Sequence, residues 1–245
     1  MSKTSIVLRT PSGLSGDMLV TGLARLAGLS GSELAAVVDS IGMPALSNVL
    51  TVEPWSVNAI SGWRADISLT REHHHRSLAD IRGIITASGM APAAQQLAND
   101  TFTTLGRAEA QIHGIPLEEV TFHEVGALDS ILDICVSSAL FATLAPASFY
   151  CSPLPLCDGV IKCEHGYLAS PAPAVQEMLR NVPVYGIDSE GETVTPTALA
   201  FLLASGARFG GWPEAEVLDV ARVYGGRVLP GVPNGAMFFL VREPH

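Results

Sequence analysis

The chain is short of positive charge. Against 24 Asp and Glu it carries 14 Lys and Arg, a formal net charge of −10, and the basic residues nowhere gather into a block. A surface of that sign repels phosphodiester backbones and anionic headgroups, which argues against nucleic-acid and membrane-surface roles. Long apolar runs are missing too. The N-terminal MSKTSIVLRT holds a brief apolar run before Arg9, and no stretch approaches the roughly 18 apolar residues of a spanning helix. A soluble, cytoplasmic protein is the expectation. CxxC pairs are also absent. Cys135, Cys151, Cys157 and Cys163 stand apart, which leaves a zinc ribbon or a thioredoxin-like motif without support. Small buried thiols are the simpler reading, with a soft-metal role as the alternative.

What is present is apolar mass. Apolar residues make up 48% of the 245 positions and charged residues only 16%, enough to bury a substantial core. Hydrophobic periodicity and turn chemistry divide the chain. A strand over 4–10 runs into Pro-Ser-Gly, followed by a helix over 17–29 and a second capped by Ser32. Strands over 49–58 and 60–70 reverse near Ser61-Gly62. Ser77 caps a helix over 78–87, a longer helix over 93–112 closes at His113-Gly114, and another covers 130–144. The tail alternates strand-like pieces at 148–152, 159–163, 183–187, 217–224 and 235–242 with helices near 171–181 and 196–206. Pro171 and Pro196 suit the first turns of those two helices. No repeat and no long linker interrupts this order. The expected class is α/β of the mixed α+β kind: a single domain over 1–245 with several short strands and flanking helices.

Four stretches could carry chemistry. The loop TPSGLSGDM (10–18) sets Ser12, Gly13, Ser15, Gly16 and Asp17 between a strand and a helix start. Glycines let backbone N–H groups approach an anion, and the helix N-terminus adds partial positive charge. It matches neither a P-loop nor GxGxxG and has no lysine, so a tight turn with Asp17 at a helix start is the plainer alternative. Asp17 suits a cation that bridges to a phosphate better than a bare phosphate. EHHHRS (72–77) brings three consecutive histidines ahead of Arg76; neighbours diverge on any regular element, so at most two share a site for nickel or zinc. A solvated loop is the alternative.

The third stretch, TFHEVGALDSILDI (121–134), holds His123, Glu124, Asp129 and Asp133. Ser130 and Asp133 have capping-box spacing, which gives both an ordinary place at a helix entrance and leaves Asp129 just outside the helix. His123-Glu124 beside a Gly turn fits no cap; such a pair serves as acid/base or as a metal ligand with its orienting carboxylate. Finally, KCEHGYLASPAP (162–173) places Glu164 and His165 at a Gly turn, and VTPTA (194–198) offers Thr195 as an N-cap before Pro196. Loops of this kind form pockets at strand ends.

These motifs, with YCSPLPL, VPVYG and ETVTPTA, occur in an order and at spacings that resemble the LarC family of nickel-insertion proteins, from about Ser12 to the end of the chain. The resemblance implies a metallochelatase that consumes CTP to insert nickel into pyridinium-3,5-bisthiocarboxylic acid mononucleotide. The product is the nickel-pincer nucleotide cofactor of lactate racemase-type enzymes. On this likeness His123, Glu124 and Asp129 are the candidate catalytic residues. Ser12, Gly13, Ser15, Gly16, Asp17, Arg76 and Thr195 are candidates for substrate or phosphate binding, and His74, His75 and His165 for metal. Arg9 and Thr10 depart from the family's usual Asp-Cys lead-in, which removes a metal role there and favours anions. Family members continue into a C-terminal domain associated with CTP and nickel. This chain is therefore expected to be the N-terminal portion, with that domain, CTP and a divalent cation supplied separately and a homo-oligomer left open. A non-catalytic assembly or nucleotide-binding module, and a metal-dependent phosphate hydrolase, are the competing readings.

Overall fold

Ile6 and Leu8 alternate with Val7 and Arg9 in the first strand, the two-residue period of a strand whose faces are used differently. The computed structural model describes residues 4–69, 75–122, 127–163, 166–229 and 231–244, with Lys162 and Cys163 described in backbone only. Strand β1 (Thr4–Arg9) leads into α1 (Gly16–Leu26) and α2 (Gly31–Asp39), then a hairpin of β2 (Leu50–Val57) and β3 (Ile60–Ile67). Next come β4 (Arg76–Ser77), α3 (Leu78–Ala87), α4 (Pro92–His113), β5 (Thr121–Phe122) and α5 (Leu128–Leu144). Four short strands follow: β6 (Phe149–Cys151), β7 (Leu154–Leu156), β8 (Val160–Cys163) and β9 (Gly166–Ala169). The chain closes with α6 (Pro173–Met178), β10 (Val184–Gly186), α7 (Pro196–Ala204), β11 (Arg208–Phe209), β12 (Glu216–Val223) and β13 (Ala236–Arg242).

Seven strands form one mixed sheet in the order β11-β6-β1-β13-β12-β3-β2, and small two-stranded pairs lie outside it. The architecture is the expected mixed α/β domain. β1 pairs parallel with β6 and antiparallel with β13, with Leu8 opposite Phe238 and Val7 opposite Phe239. That register puts Ile6, Leu8 and Phe238 on the face that joins the main core with Leu19, Leu23 and Ile131. Helix α1 crosses this face over β13, β12 and β3, and α5 packs on α1 and α4. Phe141 of α5 touches Phe149 and Phe201 at ring distances of 5.3 and 5.7 Å, which ties α5 to the sheet and to α7.

Arg9 points to the other face. Its guanidinium stacks on Trp212 at 4.5 Å and donates to the Gly210 carbonyl at 2.8 Å. The expectation that Arg9 favours an anion at the Gly/Ser loop is therefore not met, because strand alternation turns it away from that loop. Thr10 is structural as well: its backbone N–H donates to Ser152 Oγ at 3.1 Å.

Local chemistry accounts for most boundaries and corrects several. Ser30, not Ser32, caps α2, in a reciprocal box with Glu33 that lets Leu34 and Val38 face the core. The β2–β3 hairpin reverses at Asn58-Ala59, both with positive φ (51° and 61°), instead of at Ser61-Gly62. Such a two-residue turn matches the twist of its strands, which offsets the cost of left-handed backbone. Ser77 caps α3 and Gly114 ends α4 in the left-handed region, as read from sequence. Pro173, not Pro171, opens α6.

At Gly22 α1 passes close over the sheet, since a Cβ there would lie 2.4 Å from the Phe238 ring. Helix propensity alone favours Gly22→Ala by about 1 kcal/mol, whereas overpacking a rigid ring costs roughly 1–3 kcal/mol. The clash is expected to win. A urea titration of Gly22→Ala checks this, with a lower midpoint and an unchanged slope as the outcome.

Candidate functional site

At the C-terminal end of β1 the Gly/Ser loop turns the chain into α1. Gly13 has φ of +125°, and a Cβ on it would come within 1.8 Å of the Thr193 carbonyl oxygen, so only glycine fits. The loop is stitched to the segment before α7: Leu14 N–H donates to Thr193 O at 2.8 Å, and Thr195 N–H donates to Leu14 O at 3.1 Å. Thr195 caps α7, its Oγ1 accepting from Ala198 N–H at 3.3 Å. Gly16 opens α1 directly against α5, where a Cβ would meet Asp133 Oδ2 at 2.2 Å. These contacts bring the N-termini of α1 and α7 together beside the first turns of α5.

Where they meet lies a cavity of about 480 Å³, walled by Asp17, Asp129 and Asp133 with the hydroxyl residues Ser15, Ser130, Thr195 and Thr197. Among the described residues that line it, none is Lys, Arg or His. Helix N-termini supply partial positive charge in their place. Asp129 uses one oxygen to accept from Ser130 N–H at 2.7 Å. Asp133 Oδ1 is enclosed and has no hydrogen-bond partner among the described residues. Burial, then the neighbouring charges of Asp17 and Asp129, push the Asp133 carboxyl well above the usual carboxylate range. Burial also raises Asp17, opposed by the Ser15 hydroxyl, the backbone N–H groups of Met18 and Asp17, and the charge of Arg64.

A second cavity, of about 190 Å³, adjoins the first and shares Ser15, Asp17 and Thr195 with it. Its walls include Ser12, Gly13, Glu192, Gly225, Gly226 and Arg227. Ser15 already donates its hydroxyl proton to Asp17, and Ser12 donates to Gly235 O at 3.5 Å. Arg227 and backbone N–H groups are thus the natural anion donors here. Asn234 closes the loop that carries Arg227, accepting from Leu229 N–H at 2.8 Å and donating to Leu229 O at 2.7 Å.

Of the residues picked from sequence, Ser12, Gly13, Ser15, Asp17 and Thr195 come together at the second cavity, while Gly16 and Asp129 join Ser15, Asp17 and Thr195 at the first. Arg76 lies in β4, paired with Phe122 of β5, so the segment after His75 runs beside the segment before position 123. His74, His123, Glu124 and His165 lie outside the described residues. Leu69 and Asp129, both near those segments in sequence, line the acidic cavity.

The helix-entrance reading of Ser130 and Asp133 is overturned. α5 begins at Leu128, with Ala127 as its N-cap and no side-chain cap, because the buried Leu128 joins the core. Asp129 and Asp133 are then one turn apart on the same helix, and Asp133 becomes the most enclosed acid of the site. Arg227 was missed altogether; the Tyr-Gly-Gly-Arg sequence after β12 was its only signal. The described cysteines are buried and free, as expected, with Cys135 and Cys151 pushed up to about 12 by burial. Among the described residues no three His, Cys, Asp or Glu side chains form a ready-made metal ligand set. No described helix is long and apolar enough to cross a membrane.

The family profile described as nickel insertion protein matches residues 6–244, and the chain belongs to this family. A relative from Geotalea daltonii, named for nickel insertion, is 36% identical over 222 residues, covering 91% of this chain and 57% of the relative. A Desulfitobacterium hafniense relative named pyridinium-3,5-bisthiocarboxylic acid mononucleotide nickel insertion protein is 38% identical over 223 residues, covering 91% and 54%. The chain thus spans a little over half the length of the curated relatives it matches. No solved structure matches it.

The raised Asp133 value fixes a sign for stability. Below the ordinary value of 3.8 the carboxyl is protonated in both folded and unfolded chains. As pH rises through the folded value, the unfolded chain gains by ionising and stability is lost. In chelator, Asp133→Asn is therefore expected to raise Tm by roughly 2–4 °C at about pH 8 and to change little near pH 4. Calorimetry at the two pH values checks this; an equal fall at both would contradict it.

Proposed function

We propose that this chain is the nucleotide-holding part of a nickel insertion enzyme and that it presents pyridinium-3,5-bisthiocarboxylic acid mononucleotide to incoming nickel. The observation that carries the reading is the pair of adjoining cavities, only one of which carries an arginine among its described lining residues. One sets Arg227 and a glycine-rich backbone, groups suited to a phosphate monoester, beside Asp17 and Glu192. The other offers carboxylates and hydroxyls, suited to a cation. A mononucleotide whose ring end must take up a divalent metal needs that division. The D. hafniense relative carries this substrate in its name.

On this reading Gly13 lets the loop backbone approach the phosphate, Arg227 neutralises it, and the ring end lies toward Asp17 and Asp129. Insertion replaces protons on the substrate by nickel, and the Asp129 carboxylate at the ring end is the group suited to receive them. Consumption of CTP, and completion of the nickel–sulfur and nickel–carbon bonds, belong with a further domain of the kind the family resemblance implies. A second reading, divalent-ion-assisted hydrolysis of a phosphate compound, draws on the same juxtaposition of anion and cation pockets. It differs in outcome, since inorganic phosphate would be released.

Calorimetric titration of the chain with the precursor mononucleotide tests the proposal. Binding is expected, weakened on the order of tenfold by Arg227→Ala (about 1.4 kcal/mol) and by added salt. The dephosphorylated nucleoside should bind wild type and variant alike. Absence of binding, or phosphate release during the titration, would count against the reading.

A further inference from the structure

The acidic cavity holds more negative charge than its surroundings balance. Asp17, Asp129 and Asp133 share its wall with hydroxyl groups and apolar side chains, and among the described residues no cationic side chain lines it. Arg64 acts on Asp17 from nearby, but its guanidinium also pairs with Glu53 at 3.3 Å and stacks on Trp55 at 3.5 Å. Asp133 is the sharpest anomaly. Gly16, with no side chain, admits its carboxylate against the start of α1, yet Oδ1 is left enclosed and unpartnered among the described residues. An enclosed carboxylate oxygen with no donor is costly, and buried charges are retained where they are paired or coordinate a metal.

Two cations could settle that charge: a proton or a metal ion. A proton relieves one carboxyl only and needs no cavity. Here the space is about 480 Å³, and among the described residues every polar side-chain group lining it is an oxygen, from three aspartates and the hydroxyls of Ser15, Ser130, Thr195 and Thr197. An all-oxygen wall selects hard divalent ions over those that favour sulfur or imidazole. Because no three acidic, His or Cys side chains form a closed ligand set among the described residues, such an ion would keep several waters. Magnesium-like ions bind in that manner, through one or two carboxylates.

We propose that the cavity between α1, α5 and α7 is a divalent-cation site in which Asp133 and Asp17 are the carboxylate ligands, with hydroxyls and water filling the remaining positions. The site has a direct geometric relation to the anion cavity, since Ser15, Asp17 and Thr195 belong to both. An ion held there stands next to whatever anion the Arg227 side accepts. It also screens the aspartates from anionic groups, such as thiocarboxylates, that would otherwise be repelled. The inference rests on the cavity itself and holds for any nucleotide.

Mn²⁺ alone is the probe, because it favours oxygen ligands over the histidines at 73–75. Titration of the 245-residue chain, followed by the electron paramagnetic resonance signal of free Mn²⁺, reads the occupancy. One bound equivalent is expected. Asp133→Asn and Asp17→Asn should each weaken it on the order of tenfold or more. In thermal scans, millimolar Mn²⁺ should raise the Tm of the wild type and leave that of Asp133→Asn unmoved. The near-isosteric Asn variant is scored as folded by its metal-free melting transition; if it unfolds, Asp17→Asn decides. Failure of the wild type to bind Mn²⁺ would leave a cavity that takes only a proton and would overturn the proposal. Binding of equal strength in wild type and both variants would overturn it as well.

Discussion

Gly16 and Asp133 approach so closely that a single methyl group on Gly16 would occupy the space of the carboxylate. That contact sets how far the start of α1 can lie from α5, and the other parts of the site follow from it. With α1 seated there, the loop before it must turn at Gly13, whose left-handed backbone lies against Thr193. The Thr193 contact in turn holds Thr195 and the start of α7 beside α1. Loss of room at this one point would displace the walls of both cavities, since α1, the loop before it and the Thr195 cap of α7 contribute to each. The glycines are therefore demanded by close approach more than by flexibility.

Much of the architecture was legible in the sequence because its signals are local. The β1 strand, the Ser77 cap of α3, the Gly114 stop of α4 and the Thr195-Pro196 start of α7 each read correctly from a few neighbouring residues. The Gly/Ser loop was also legible as a strand-to-helix turn. Errors arose where two local solutions had the same signature. A Ser-x-x-Asp spacing looks like a cap whether or not the helix starts there, and the burial of Leu128 decided that it starts two residues earlier. The hairpin turn at Asn58-Ala59 was hidden by the Ser-Gly pair that follows it, because glycine is the stronger sequence signal.

Arg227 was illegible for a different reason. A lone arginine after two glycines is ordinary surface chemistry, and only the sheet order carries it to a loop some two hundred positions earlier in the chain. Asp133 shows the converse. It reads as an ordinary polar residue of a helix, and its enclosure depends on a partner helix, which the i, i+4 pattern cannot reveal. Both omissions concern charge placed by tertiary structure. Candidate sites drawn from short motifs will tend to find the loop that frames a pocket and to miss the charges that give it polarity.

The position of β13 has a consequence for how the protein is made. This strand is formed by residues 236–242, yet it lies between β1 and β12 in the middle of the sheet. Leu8 thus finds its cross-strand partner only when Phe238 has been synthesised. Until then β1 has one open edge and the floor beneath α1 is incomplete, since Gly22 packs on the Phe238 ring. Pairings so distant along the chain close large loops and slow folding. During translation the β1 edge and the floor beneath α1 stay incomplete until residues 236–242 have been made, even though contacts within the first 144 residues can form earlier.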